Sequence, residues 1–192
     1  GLGDVYKRQV QTGVGRTGTF FAYQAAGVLP DIVTLGKGLG GGVPVSAMIA
    51  AERVCCFVPG DQGGTFNGNP LAMAAARSVV DVVGDEPFLR SVRASGEYLH
   101  TRLAALKPKA PHLVRGVRGS GLLLALELAE PVAESVASEC LERGLLVNAP
   151  RPDTLRFMPS LRVSVAEIDE ATQCLAGVLQ AAQAGRPAGA AR

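Results

Sequence analysis

Lys37 stands among five glycines in TLGKGLGGGVP, residues 34 to 44. A helix there is excluded, because each interior glycine weakens one by about 1 kcal/mol. The lysine directly follows DIVTL, an apolar run between turn signals that predicts a buried strand of a parallel sheet. Ligands of open α/β sheets collect at the carboxyl ends of such strands. An amine held there and partly desolvated has its charged form disfavoured and can attack a carbonyl. Glycines on both sides would let a flat ligand and its phosphate reach the main chain. A Schiff base between Lys37 and pyridoxal 5'-phosphate (PLP) accounts for all three features. Spacing alone serves a phosphate-binding or simply exposed lysine equally well.

Other residues have chemistry to offer. GVGRTG, residues 13 to 18, has the GxGxxG spacing of a dinucleotide loop. No natural strand is expected before it, no acidic residue about 20 positions on ends a second strand, and a P-loop lysine is missing, so a nucleotide-binding module is the weaker alternative. Thr65 in GGTFNG could meet a phosphate with its hydroxyl and neighbouring amides, or be a turn residue, as could Gln11. Arg156 in LRF carries the planar group suited to a bidentate carboxylate clamp, and would otherwise be a solvated edge residue. Val10, on its own, reads as core. His100 and His112 are the only histidines, and Cys55, Cys56, Cys140 and Cys174 include no CxxC. A zinc site and a Ser-His-Asp site therefore have little to draw on, and reduced cytosolic thiols are expected.

The elements that must position these groups follow from pattern. Residues 20 to 27 predict a short apolar helix, and PVSAMIA, residues 44 to 50, a strand beside DIVTL. Asn69 and Pro70 form an N-cap and first helical position for a buried, alanine-rich helix, LAMAAARSVVDVVG. Phe88, Val92, Leu99, Leu103 and Leu106 recur at helical spacing in a long helix with one wet face. Beyond Pro108 and Pro111 come two strands around a glycine turn in HLVRGVRGSGLLLALEL, then a helix near 131 to 143 that Gly144 ends. LLVNA and TLRFMP are further strands, and VAEIDEATQCLAGVLQAA is a closing helix. This order suits a small α+β domain.

Composition sets the outer bounds. With 47% hydrophobic residues and a net charge of 19 − 17 = +2, the chain suits a globular protein of one or two domains. No basic run suggests nucleic acid, and no apolar run reaches the roughly 18 residues of a membrane span. Residues 1 to 9, GLGDVYKRQ, include the peptide encoded by a sequencing-library transposon end. They are read as an assembly artefact, with the natural gene resuming near Val10 and an upstream half missing.

VQTGVGRTG, PDIVTLGKGLGGGVPVSAMIA, GGTFNGNPLA, RGSGLLLALEL and LRFMPSL together, in this order and spacing, resemble class III PLP-dependent aminotransferases from Val10 to about Gln183. The resemblance implies fold type I: part of a large α/β domain with a mainly parallel sheet, plus a small α+β domain. It divides the chain into 10–87 (large domain), 88–109 (connecting helix), 110–184 (small domain) and 185–192 (disordered tail). It implies a cytoplasmic homodimer with the site shared across the interface. Its implied roles are Lys37 for the Schiff base, Gln11 for the pyridine hydroxyl, Val10 under the ring, Thr65 for the phosphate of the other subunit, and Arg156 for a substrate carboxylate. GLLVNAPRPDTLRFMPSL leans towards exchange between N-acetylornithine and 2-oxoglutarate, with succinylornithine, ornithine, 4-aminobutyrate or putrescine as alternatives. The family has Asp-Glu where this chain has Arg8 and Gln9, and that Asp pairs with the pyridine nitrogen. With Arg8 there, the chain as given is expected to be inactive. The arginine for a second carboxylate is expected upstream.

Overall fold

The computed structural model describes residues 6–184, and the chain divides into two compact units, Gly1–Val92 and Arg93–Arg192. Residues 1–5 of the stretch read as an artefact, and the 185–192 tail read as disordered, lie outside the described residues.

The first unit holds β1 (Tyr6–Arg8), α1 (Ala22–Ala25), β2 (Ile32–Leu35), β3 (Ala47–Ala50) and α2 (Pro70–Val83). Its strands form one sheet in the order β1-β2-β3. β1 runs parallel to β2, with Arg8 opposite Thr34, whereas β3 joins β2 antiparallel, with Leu35 opposite Ala47. The sheet is therefore mixed within this segment. Val33 and Leu35 are buried while Ile32 and Thr34 are only half-buried, so β2 buries one face, by the two-residue period of a strand. β3 is shorter than the expected 44 to 50. It starts after Pro44, which has no N–H to give a ladder.

α2 begins as its sequence dictates. Asn69 Oδ1 accepts from the backbone N–H groups of Leu71 (3.0 Å) and Ala72 (3.2 Å), with Pro70 next to the cap. The burial expected of this helix is not found. Only Ala72 and Val83 are buried, while Leu71 is 75% exposed and Met73, Val80 and Val82 also face out. Helix chemistry is a matter of the local chain; burial depends on what covers it.

α3 (Glu86–Ala104) crosses the divide between the units. The second unit continues with β4 (Val114–Ser120), β5 (Leu123–Leu128), α4 (Ala133–Glu142), β6 (Asn148–Arg151), β7 (Thr154–Phe157) and α5 (Val165–Ala184). Its four strands are antiparallel neighbours in the order β4-β5-β7-β6. Gly144, at φ +83°, follows α4 in the left-handed region, and the strand expected at LLVNA starts later, at Asn148. Leu126, Leu128, Leu155, Ile168, Leu175 and Leu179 make a dry core between sheet and helices. Gly96 of α3 sits against the β4–β5 turn, and a Cβ there would come within 2.6 Å of the Gly121 carbonyl. Asp169 of α5 clasps α3: the Tyr98 hydroxyl donates to its Oδ1 at 2.7 Å, and Arg102 Nε lies 2.9 Å from the same oxygen. The four cysteines are free thiols. Burial pushes the Cys140 thiol up to about 11.

Candidate active site

Lys37 opens a short 3-10 turn, Lys37–Gly40, two residues beyond the end of β2. Its backbone has φ +51°, the left-handed region, which costs a non-glycine residue on the order of 1–3 kcal/mol unless its surroundings hold it there. The surroundings do. Leu39 N–H donates to the Gly36 carbonyl at 3.2 Å, and Gly41 N–H to the Gly38 carbonyl at 3.2 Å.

Two of the glycines after Lys37, Gly40 and Gly41, are crowded by protein neighbours, whereas Gly42 has nothing within 4 Å of its Cβ position. At Gly41, with φ +58°, a Cβ would lie 2.9 Å from Val79 Cγ2 on α2, and at Gly40 a Cβ would meet Val45 Cγ1 at 2.7 Å. A side chain at either place would push away what seats the turn. Lys37 itself is exposed in this chain.

The loop after β1 brings Val10 to this turn. Gln9 N–H donates to the Thr34 carbonyl at 2.9 Å, and Gly13 N–H donates back to the Gln9 carbonyl at 2.9 Å. The buried Gln9 side chain accepts from Ala22 N–H at 2.9 Å. Val10 Cγ1 then lies 3.5 Å from where a Cβ on Gly36 would be, next to Lys37 in the chain. Gln11 follows in the same loop, half-buried. Val10 thus reaches Gly36, the residue before Lys37, while Gln11 is placed only as its neighbour in the loop. Arg8 closes β1 beside Thr34, three residues before Lys37.

Thr65 is exposed in a turn segment, and among the described residues no hydrogen bond or ion pair joins it to Lys37. The strand that precedes GVGRTG, β1, lies wholly within residues 1 to 9, the stretch read as an artefact. The motif closes on itself as a turn, with Gly18 N–H donating to the Gly15 carbonyl at 2.9 Å, and the four-residue α1 starts only at Ala22. A dinucleotide loop opens directly into a helix whose N-terminus takes the phosphates, and this one does not. Burial lowers the pKa of Arg16 within it.

In the second unit, Arg156 lies on β7, between Ala125 of β5 and Asn148 of β6. It is on an interior strand, so the edge-residue reading falls. It lines a cavity of about 380 Å³ together with Leu146, Phe157, Arg162, Glu167 and Ile168. Arg162 was not singled out from sequence, although a second arginine six residues on, past a proline turn, is a visible signal. Two hydrogen bonds from Ser164, its backbone N–H (2.7 Å) and its hydroxyl (2.8 Å), hold the Glu167 carboxyl below the usual carboxylate range. Among the described residues no cluster of His, Cys, Asp and Glu could hold a metal ion, and no helix is long and apolar enough to cross a membrane.

Residues 9–179 match the family Aminotransferase class-III, a match over most of the chain. This chain belongs to that family, whose members are PLP-dependent enzymes of fold type I. It is 47% identical over 176 residues to acetylornithine aminotransferase 2 of Bordetella parapertussis, covering 90% of this chain and 44% of that protein. Identity to the acetylornithine aminotransferase of Caldanaerobacter subterraneus is 46% over 171 residues, covering 89% of this chain and 43% of that protein. The crystal structure of N-acetylornithine aminotransferase from Stenotrophomonas maltophilia superposes with a TM-score of 0.84 at 33% identity, covering 95% of this chain and 48% of that one. Ornithine delta-aminotransferase of Plasmodium falciparum gives 0.86 at 31% identity, covering 94% and 48%. The chain thus spans less than half the length of the curated relatives it matches.

Proposed function

We propose that this chain is part of an enzyme that exchanges an amino group between N-acetylornithine and 2-oxoglutarate. The observation that carries the reading is Lys37, held in a left-handed conformation at a strand end, with Val10 against the adjacent Gly36. The substrate pair is supported by the names of the curated relatives.

The division of labour follows from residue chemistry. PLP, when bound, supplies the electron sink. Lys37 Nζ would hold the cofactor, and the same amine would serve as the base and acid that moves the proton at the substrate carbon. Val10 gives the ring an apolar support, Gln11 a hydrogen bond, and Thr65 a hydroxyl for the phosphate of a partner subunit in a homodimer. Arg156 grips a substrate carboxylate as a two-point, charge-assisted contact. Arg8 does not fit, because a fixed positive charge disfavours a protonated pyridine nitrogen nearby. We read 10–87 as part of the PLP-binding domain, 88–109 as the connecting helix, 110–184 as the small domain, and the compartment as the cytoplasm.

The test is borohydride reduction, in excess PLP, of the protein completed with a homologous N-terminal half, followed by peptide mapping. The pyridoxyl group is expected on Lys37, and label on Lys107 or Lys109 in its place overturns the assignment. A second reading, an ornithine-type specificity, is favoured by the superposition on ornithine delta-aminotransferase. Comparing amino donors in an assay of the complete enzyme separates the two.

A further inference from the structure

Among the described residues only two that are not glycine stand at positive φ, Val14 at +54° and Lys37 at +51°. They lie on separate loops, yet they come together in three dimensions. Val14 Cβ lies 3.7 Å, and its Cγ1 3.9 Å, from where a Cβ of Gly38 would be. Gly38 follows Lys37 in the chain, as Gly36 precedes it. Val10 Cγ1 stands 3.5 Å from the corresponding position on Gly36. One loop therefore sets a valine against the glycine on each side of Lys37.

Valine is an unfavourable residue for this backbone. A β-branched side chain at positive φ crowds its own main chain, and the conformation persists only where the surroundings impose it. Val14 is buried, at 4% exposure, and its chain neighbours are tied down. Gly13 N–H donates to the Gln9 carbonyl at 2.9 Å, and Gly15 N–H to the Phe20 carbonyl at 3.3 Å. Leu35, the last residue of β2, closes on the same loop, with its Cδ2 3.0 Å from where a Cβ of Gly13 would be. Glycine would adopt the same φ without strain, so backbone preference does not account for a valine there. An apolar side chain set against the Lys37 turn does.

We propose that Val14 is a positioning residue for Lys37. It acts through Gly38, on the turn and not on the cofactor, and with Val10 it holds the lysine main chain between two apolar stops. A held main chain confines the positions that Nζ can reach, which matters most for proton transfer at a fixed carbon. The inference rests on the amine role given to Lys37 above and deepens it.

The experiment uses the protein completed with a homologous N-terminal half, unchanged and as Val14→Gly, Val14→Ala and Val83→Ala. Val83→Ala empties a buried site at the C-terminal end of α2 and is the control for lost stability. Two quantities are read: the rate at which PLP couples to Lys37, trapped by borohydride and mapped, and the kinetics with N-acetylornithine and 2-oxoglutarate. Val14→Gly is expected to slow coupling and lower kcat by about tenfold each, with KM for the amino donor within about twofold. Val14→Ala keeps the Cβ and should show about a threefold loss. Val83→Ala should lower the melting temperature and leave both quantities unchanged. The proposal is overturned by equal losses in Val14→Gly and Val83→Ala, by an unchanged coupling rate in Val14→Gly, or by a raised KM with kcat intact. Should Val14→Gly not fold, Val14→Ala decides by the same readings. Label absent from Lys37 in the unchanged protein overturns the proposed function, whereas label there at one rate in every variant overturns this inference alone.

Discussion

The two units bury their apolar residues to different degrees. In the second, Leu126, Leu128, Leu155 and Leu175 have essentially no solvent exposure, and sheet and helices close on one another. In the first, Leu29 is 86% exposed, Phe66 82%, and half of Met48 and Ile49 on β3 faces out. Burying a leucine is worth about 1.5–3 kcal/mol, so a unit that leaves this many uncovered forgoes much of the drive to hold its shape. The second unit closes a core of its own. The first holds the more specialised backbone, including a left-handed lysine, on the weaker foundation.

The sharpest way to break that contrast is to damage the better-packed unit. Leu126→Ala removes a fully buried side chain from β5 and should cost about 3 kcal/mol, with the range for such cavities being 2–5. Denaturant melts should show the loss, and amide exchange should localise it to residues 93–184. Uniform loss across the whole chain would show that the units do not differ as described. The complementary change in the first unit is Asn69→Ala, which removes the cap of α2 and should cost about 1 kcal/mol. The expected signature is faster amide exchange at Leu71 and Ala72, with the second unit unmoved.

The smallest effect concerns pH. Glu167 has its carboxyl lowered by the Ser164 hydrogen bonds, so its folded value lies below its unfolded one. Its contribution is therefore full above the ordinary value of 4.5 and is lost as pH falls through the folded value. The second unit should lose a little stability on acidification over that window, and Glu167→Gln should flatten the dependence. A steeper fall in the variant would reverse the sign argued here.

Much of this was legible in the sequence where the signal is local. Asn69-Pro70 announced the start of α2, Gly144 the end of α4, and the apolar spacing of Val92, Leu99 and Leu103 announced α3. Lys37 at a strand end was readable from DIVTL and the glycines. Its left-handed backbone was not, because φ at a lysine follows from the hydrogen bonds of the whole turn. Nor was the purpose of Gly41, since Val79 lies 38 residues away in sequence and meets it only in three dimensions. The exposure of α2 escaped for a related reason, as periodicity reports which face is apolar and is silent about what lies opposite. That Arg162 shares a cavity with Arg156 was not legible either, because a shared cavity leaves no pattern along the chain.

The place of Arg156 on β7 also bears on how faithfully the sheet assembles. Arg156 pairs with Ala125 on one side and Asn148 on the other, and its chain neighbour Leu155 has no solvent exposure at all. Side chains alternate faces along a strand, so slipping β7 by one residue would turn the guanidinium into the leucine core and put a leucine in the cavity. An unpaired buried charge is among the costliest errors a fold can make. The arginine of β7 thus acts as a proofreading mark. It makes the wrong alignment of β7 expensive before any ligand arrives, and a neutral replacement would remove that guard along with the contact.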